Sequence, residues 1–207
     1  SAGALMSAAA VSSLASVGLA TVRAVPRPRV AVVSTGAELV DPGRVLPAGT
    51  IPDSNSLLLA GLVAEHGAAL ASVSRCGDAA ESLVMTLTEA ARGADLVITS
   101  GGVSAGAFDP LVMLAEDDGA AGGSVRLRLA KVAMQPGRPQ GHGTVRTEDG
   151  GASRQVPVIT LPGNPVSVLV SFTTVVAPAL ARLAGHDAVS GPPAGAGDHR
   201  TQPARPA

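Results

Sequence analysis

The sequence predicts an α/β domain in three layers, with a mostly parallel sheet between helices. Short β-branched runs alternate with helix-length stretches from residue 29 to residue 99, in the order strand, helix, strand, helix, strand. That order is the signature of an open parallel sheet. The runs are apolar at consecutive positions, as strands buried on both faces must be. At 207 residues and 46% hydrophobic, the chain can bury the core of one full domain with appendages.

The elements follow in order. Met6, Ala10, Leu14 and Val17 recur at helical spacing, which predicts an amphipathic connector helix within residues 1–28 that packs on the globular body. After Pro26 and Pro28, Arg29 to Ser34 reads as a buried strand. A helix is expected over Ser54 to His66, opened by Asp53, Ser54 or Asn55 and closed by Gly67. Ala69 to Arg75 reads as a strand, Ala79 to Arg92 as a helix and Asp95 to Thr99 as a strand. Further strands are expected over Val125 to Ala133 and Gln155 to Leu161, with a hairpin or exposed loop over Thr147 to Arg154. The last helix runs from Pro165 to Leu183, with proline tolerated in its first turn. Beyond Gly185 the chain is too rich in Gly, Pro and Ala to pack. The plan is therefore a connector (1–28), a compact domain (29–184) and a disordered tail (185–207).

Composition narrows the function. A net charge of −1 excludes a strong polyanion grip, and two aromatic residues, Phe108 and Phe172, cannot build a base-stacking platform, so no nucleic acid partner is expected. Cys76 is the single cysteine and cannot form an internal disulfide, which leaves no demand for an oxidising compartment and predicts a cytoplasmic location. The uncharged stretch near the N-terminus is broken by serines and the one at 165–181 by Pro178 and hydroxyls, so no membrane span is expected. Four scattered histidines and one cysteine make no zinc pattern.

In open parallel sheets, ligands bind beyond the carboxyl ends of the strands. Four stretches occupy such places. STGAEL (34–39) combines Thr35 and the Gly36 turn with Glu38, a carboxylate able to hold a cation. TSGGVSAGAFD (99–109) offers Ser100, Gly101, Gly102 and Ser104, whose amides and hydroxyls suit a phosphate, followed by Asp109, which either caps a helix or meets Mg²⁺. KVAMQPGRPQG (131–141) sets Lys131, the only lysine, and Arg138 around Pro136 and Gly137, a pair of cations suited to an oxyanion. LPGNPVS (161–167) fixes a strand-to-helix junction through Pro162, Gly163 and Asn164, the last a candidate cap. None of these is a P-loop or a dinucleotide fingerprint.

In order and spacing the four stretches, with Asp53-Ser54-Asn55 between the first two, resemble the central domain of the molybdopterin molybdenumtransferase family, which includes bacterial MoeA and the E domain of gephyrin. The resemblance implies a molybdopterin-binding α/β domain and the last step of molybdenum cofactor synthesis. Adenylylated molybdopterin is bound, molybdate is inserted at the dithiolene and AMP is released, with Mg²⁺ required. By position, Glu38, Asp78 and Asp109 match acidic residues of the family's site, Glu38 and Asp109 being the implied metal ligands, and Lys131 matches a lysine that contacts anionic substrate. Thr35, Gly36, Ser100, Gly101, Gly102, Ser104, Pro136, Gly137, Arg138, Pro162, Gly163 and Asn164 would shape the pterin and phosphate pocket. The resemblance also implies a homodimer and a molybdopterin adenylyltransferase as the enzyme that supplies the substrate. The chain departs from the family pattern at Ala37, Pro110 and Gln135. Two alternatives stand beside this reading: a molybdopterin adenylyltransferase, and a non-catalytic molybdopterin-binding module.

Overall fold

A computed structural model describes residues 6–103, 110–116, 123–149 and 151–186. Its centre is a six-stranded sheet in the order β4-β1-β5-β8-β7-β6. Strands β4 (Ala69–Cys76), β1 (Arg29–Thr35), β5 (Leu96–Ser100) and β8 (Ala152–Leu161) run parallel, and β7 (Pro139–Asp149) runs against its neighbours β8 and β6 (Val125–Lys131). β1 and β5 are buried at nearly every position, which explains their unbroken apolar runs. A two-residue parallel ladder joins β2 (Leu39–Val40) to β3 (Ile51–Pro52) outside the main sheet.

Helices cover both faces. On one, α3 (Ala80–Arg92) and α4 (Pro110–Glu116) enclose Ala31, Val33, Val97, Val145, Val156 and Val158. On the other, α2 (Asn55–Glu65) and the C-terminal helix enclose Val30, Val32, Leu96, Ile98 and Leu161. The C-terminal helix is a continuous run: α5 (Pro165–Ser171), a π turn (Phe172–Val176) and α6 (Ala177–Leu183). It is long and apolar enough to cross a membrane by composition, yet Val168, Phe172, Val176 and Leu180 form one stripe sealed against the sheet. Phe172, fully buried and edge-on to His66 with 5.1 Å between ring centres, is the only aromatic ring of the described residues in this aliphatic core. Its burial is worth about 1.5–3 kcal/mol.

Three features differ from the sequence-based expectation. The connector helix forms as α1 (Ala8–Ser16), but none of its residues is buried, so it does not pack on the body as expected. Its apolar positions are mostly alanine, interrupted by serine, and offer too little area to hold a nine-residue helix down. Residues 139–146, for which the sequence predicts no element, form most of an antiparallel strand, β7, whose Gly141 lies against the Thr160 hydroxyl and Leu129, and whose Gly143 lies against the Arg126 carbonyl. Glycine serves close strand packing here. The π turn inside the last helix carries no cue in its sequence, FTTVV. The hairpin expected near 147–154 is present between β7 and β8, and the expected tail lies outside the described residues apart from Gly185 and His186.

The amino-terminal edge of the sheet is tied by charge. Asp95 accepts a hydrogen bond from the Arg29 amide at 2.8 Å and pairs with Arg154 at 2.6 Å, while Arg154 also donates to the Ala94 carbonyl at 2.9 Å. Burial alone would raise the Asp95 pKa, but the Arg29 amide and the Arg154 and Arg29 guanidinium groups outweigh it and leave the carboxyl below its ordinary value. A carboxyl lowered by folding stabilises the fold above its unfolded value, and that contribution disappears as pH falls through the folded value. Asp95→Asn should therefore cost about 1–2 kcal/mol at neutral pH, with a difference from wild type that shrinks below about pH 4. Urea denaturation of both proteins across that pH range measures it.

Candidate functional site

The carboxyl ends of β1, β4, β5 and β8 meet the start of α2 and of α5 around a cleft of about 540 Å³. Its floor is made by strand tips. Ser34 and Ser100 lie opposite each other with hydroxyls 3.4 Å apart, and the Thr35 hydroxyl donates to the Ser100 carbonyl at 3.4 Å. The Gly101 amide donates to Leu161 O at 3.1 Å, which binds the tip of β5 to β8. Gly101 has φ +87, and a Cβ there would stand 2.6 Å from the Thr35 carbonyl oxygen. Only glycine lets the two tips close.

The walls are built by local hydrogen bonds. The Gly36 amide donates to Cys76 O at 3.1 Å, and the chain then turns so that the β2–β3 ladder seats Glu38 on the rim. Burial first, then the Asp78 carboxylate, push the Cys76 thiol up despite a hydrogen bond with Thr86, so Cys76 serves packing as a neutral thiol. At the head of α2, buried Asp53 accepts the Ser56 amide at 3.1 Å, and Asn55 donates across the cleft to Gly163 O at 2.7 Å, leaving its own buried Oδ1 without a partner. Opposite, Asn164 Oδ1 accepts the amides of Val166 and Ser167 at 3.0 and 3.2 Å and caps α5.

Of the residues singled out by sequence, Thr35, Gly36, Glu38, Asp78, Ser100, Gly101, Gly102 and Gly163 line this one cleft. Pro162 is buried and does not line it, and Asn164 is committed to its cap beside the lining residues Gly163 and Pro165. Ser104 and Asp109 lie outside the described residues. Lys131, Pro136, Gly137 and Arg138 do not line the cleft; Lys131 ends β6, opposite Pro139, and the other three lie in the turn between β6 and β7. Because β7 runs antiparallel to β8, that turn rises from the same rim of the sheet, with β6 two strand spacings, about 10 Å, from β8. Sequence reasoning read Asp53, Ser54 and Asn55 only as a helix start; their place in the wall follows from the β5–β8 pairing that brings Gly163 opposite.

Three of the lining residues are carboxylates, Glu38, Asp53 and Asp78, and none of those described is Lys, Arg or His. Among the described residues no three His, Cys, Asp or Glu gather as a metal cage. The donor set fits a cation such as Mg²⁺, which binds through one or two carboxylates and completes its shell with phosphate oxygens and water. The turn supplies the opposite charge, with Lys131 and Arg138 both exposed.

The close approach at Gly101 gives a direct test. Gly101→Ala should destabilise the domain by about 1–3 kcal/mol through strain at positive φ and the clash with Thr35 O. It should also abolish ligand binding in the cleft, as thermal melts and binding titrations on the same preparation would show.

Comparison with known proteins agrees with this geometry. Residues 31–182 match the family model described as "Probable molybdopterin binding domain". The chain is 42% identical over 183 residues to molybdopterin molybdenumtransferase 2 of Mycobacterium tuberculosis, covering 88% of this chain and 43% of that protein. It is 36% identical over 181 residues to the molybdopterin molybdenumtransferase of Nostoc sp., covering 87% and 39%. The crystal structure of a molybdopterin biosynthesis MoeA protein from Pyrococcus horikoshii superposes with a TM-score of 0.67 at 32% identity, over 89% of this chain and 42% of that one. The chain thus spans about two fifths of the length of these relatives. A parallel sheet whose strand tips frame a glycine-lined cleft, matched by the family model from β1 to the last helix, establishes that this chain belongs to the molybdopterin-binding domain family.

Proposed function

We propose that the chain is the substrate-binding core of a molybdopterin molybdenumtransferase, inserting molybdate into adenylylated molybdopterin with release of AMP. The observation that carries this is the separation of charge along one rim: a cleft of backbone donors, hydroxyls and carboxylates, and, two strands beyond β8, a turn bearing Lys131 and Arg138. A long ligand with a heterocycle, a pyrophosphate and an oxyanion-accepting end matches that layout. With only Phe108 and Phe172 in the chain, and Phe172 sealed in the core, the heterocycle is held by backbone amides, hydroxyls and aliphatic walls such as Leu39, Ile51 and Val103.

The chain's own residues divide the work. Gly101 and Gly102 let the strand tips approach the ligand closely, and the hydroxyls of Thr35 and Ser100 orient it. Glu38 with Asp109 would hold Mg²⁺, which when bound offsets phosphate charge that the carboxylate-lined cleft would otherwise repel. Asp78 faces the same space from the end of β4 and orients water. Lys131 and Arg138 hold the oxyanion at the turn, Lys131 as a point charge and Arg138 as a fork. The reading carries with it a homodimer, substrate supplied by a molybdopterin adenylyltransferase and a cytoplasmic location.

Incubation of the chain with adenylylated molybdopterin, Mg²⁺ and molybdate tests the proposal. AMP release with molybdenum retained on the pterin is the expected result. Consumption of ATP with free molybdopterin would identify an adenylyltransferase instead, and binding without turnover a non-catalytic module. Glu38→Gln and Asp109→Asn should each lower turnover at least about tenfold, and for the exposed Glu38 the change in stability should stay within about 0.5 kcal/mol. Equal loss of turnover and stability in Asp109→Asn would assign that residue to capping. Lys131→Ala should raise the dissociation constant for the adenylylated pterin about fivefold or more, and an unchanged constant would remove the anion contact.

A further inference from the structure

The turn between β6 and β7 is fastened to the C-terminal helix by one buried side chain. Gln140 is 6% exposed, and its Nε2 donates to Gly137 O at 2.7 Å and to Ser171 Oγ at 2.5 Å. Because the Gly137 carbonyl can only accept, the orientation of the amide is fixed, and Oε1 is left buried without a partner. An aliphatic side chain would fill the same space without that unpaired acceptor. The tie is close: a Cβ on Gly137, at φ +102, would stand 2.9 Å from Ser171 Oγ and 3.0 Å from the Met134 methyl. A second, longer contact joins the Thr174 hydroxyl to Met134 Sδ at 3.7 Å, and the Val132 amide closes the base of the turn on Arg138 O at 2.8 Å. The direction of Arg138 therefore follows from where Gly137 is held.

The same helix begins on the cleft. Pro165 lines the cleft wall, and Ser171 follows roughly 9 Å further along the axis at about 1.5 Å per residue. Ser171 is fully buried, so this stretch cannot slide independently of the core. The helix is a strut with the cleft at one end and the turn at its middle.

We propose that Gln140 is a positioning residue that fixes the Lys131–Arg138 turn on this strut at the spacing one ligand needs to occupy cleft and turn together, and so governs oxyanion affinity without touching the ligand. This rests on the reading of the turn as the oxyanion subsite. Gln140→Leu and Gln140→Glu remove the Nε2 donor at nearly constant volume. Gly137→Ala crowds Ser171 from the other side and leaves the buried side chain intact. Equilibrium dialysis against molybdate alone and titration with AMP alone read the two ends of the strut separately. All three variants should raise the molybdate dissociation constant about tenfold while that for AMP stays within about twofold. An unchanged molybdate constant in Gly137→Ala and in folded Gln140→Leu overturns the proposal. So does a matched loss of both affinities in Gly137→Ala, which would mark a general loosening. Wild-type chain that binds AMP but no molybdate overturns the oxyanion subsite itself, whereas wild-type binding that the variants share defeats the role of Gln140 alone.

Discussion

The contact between Gly101 and the Thr35 carbonyl is the constraint around which the rest of the molecule is arranged. Two parallel strands can end at the same level and touch there only if one tip lacks a side chain and tolerates a positive φ. Once they touch, the Ser34 and Ser100 hydroxyls are stacked in register and the Gly101 amide is free to bind β8. The chains leaving β1, β5 and β8 then diverge in the one direction still open, and the space between them is the cleft. The site is thus a by-product of parallel pairing, since crossover connections occupy the faces and leave the tips to the loops.

Charge is distributed with the same economy. The tied amino-terminal edge, where Arg29 and Arg154 converge on Asp95, holds the sheet together at the end remote from ligand. At the other end carboxylates face the cleft, Arg75 at the tip of β4 is paired with Asp41, and Lys131 and Arg138 stand apart where β6 turns into β7. A near-zero net charge conceals this segregation along one rim, which no whole-chain sum could reveal.

How far the sequence was legible depends on whether an element's cause was local. The buried strands β1 and β5, the helices α2 and α3 and the Asn164 cap follow from composition and capping chemistry within a few residues, and their positions match expectation closely. So does the gathering of STGAEL and TSGG residues, because parallel topology sends both loops to one edge. What escaped had distant causes. β7 carries no strand signal because Pro139, Gly141 and Gly143 are breakers in isolation, and only its neighbours Thr160, Leu129 and Arg126 make glycine necessary. Asn55 reads as a helix start because its partner, Gly163, is 108 residues away. The distance of Lys131 from the cleft is set by strand order, to which its surrounding motif is blind.

The aliphatic core has a further consequence, and it is optical. The chain has no tryptophan or tyrosine, and in the core of the described residues Phe172 is alone against His66. The protein therefore contributes almost nothing to near-ultraviolet absorption or emission. A pterin or an adenine bound in the cleft would be the dominant chromophore of the complex, and its own spectrum would report its surroundings without a label or a protein background to subtract.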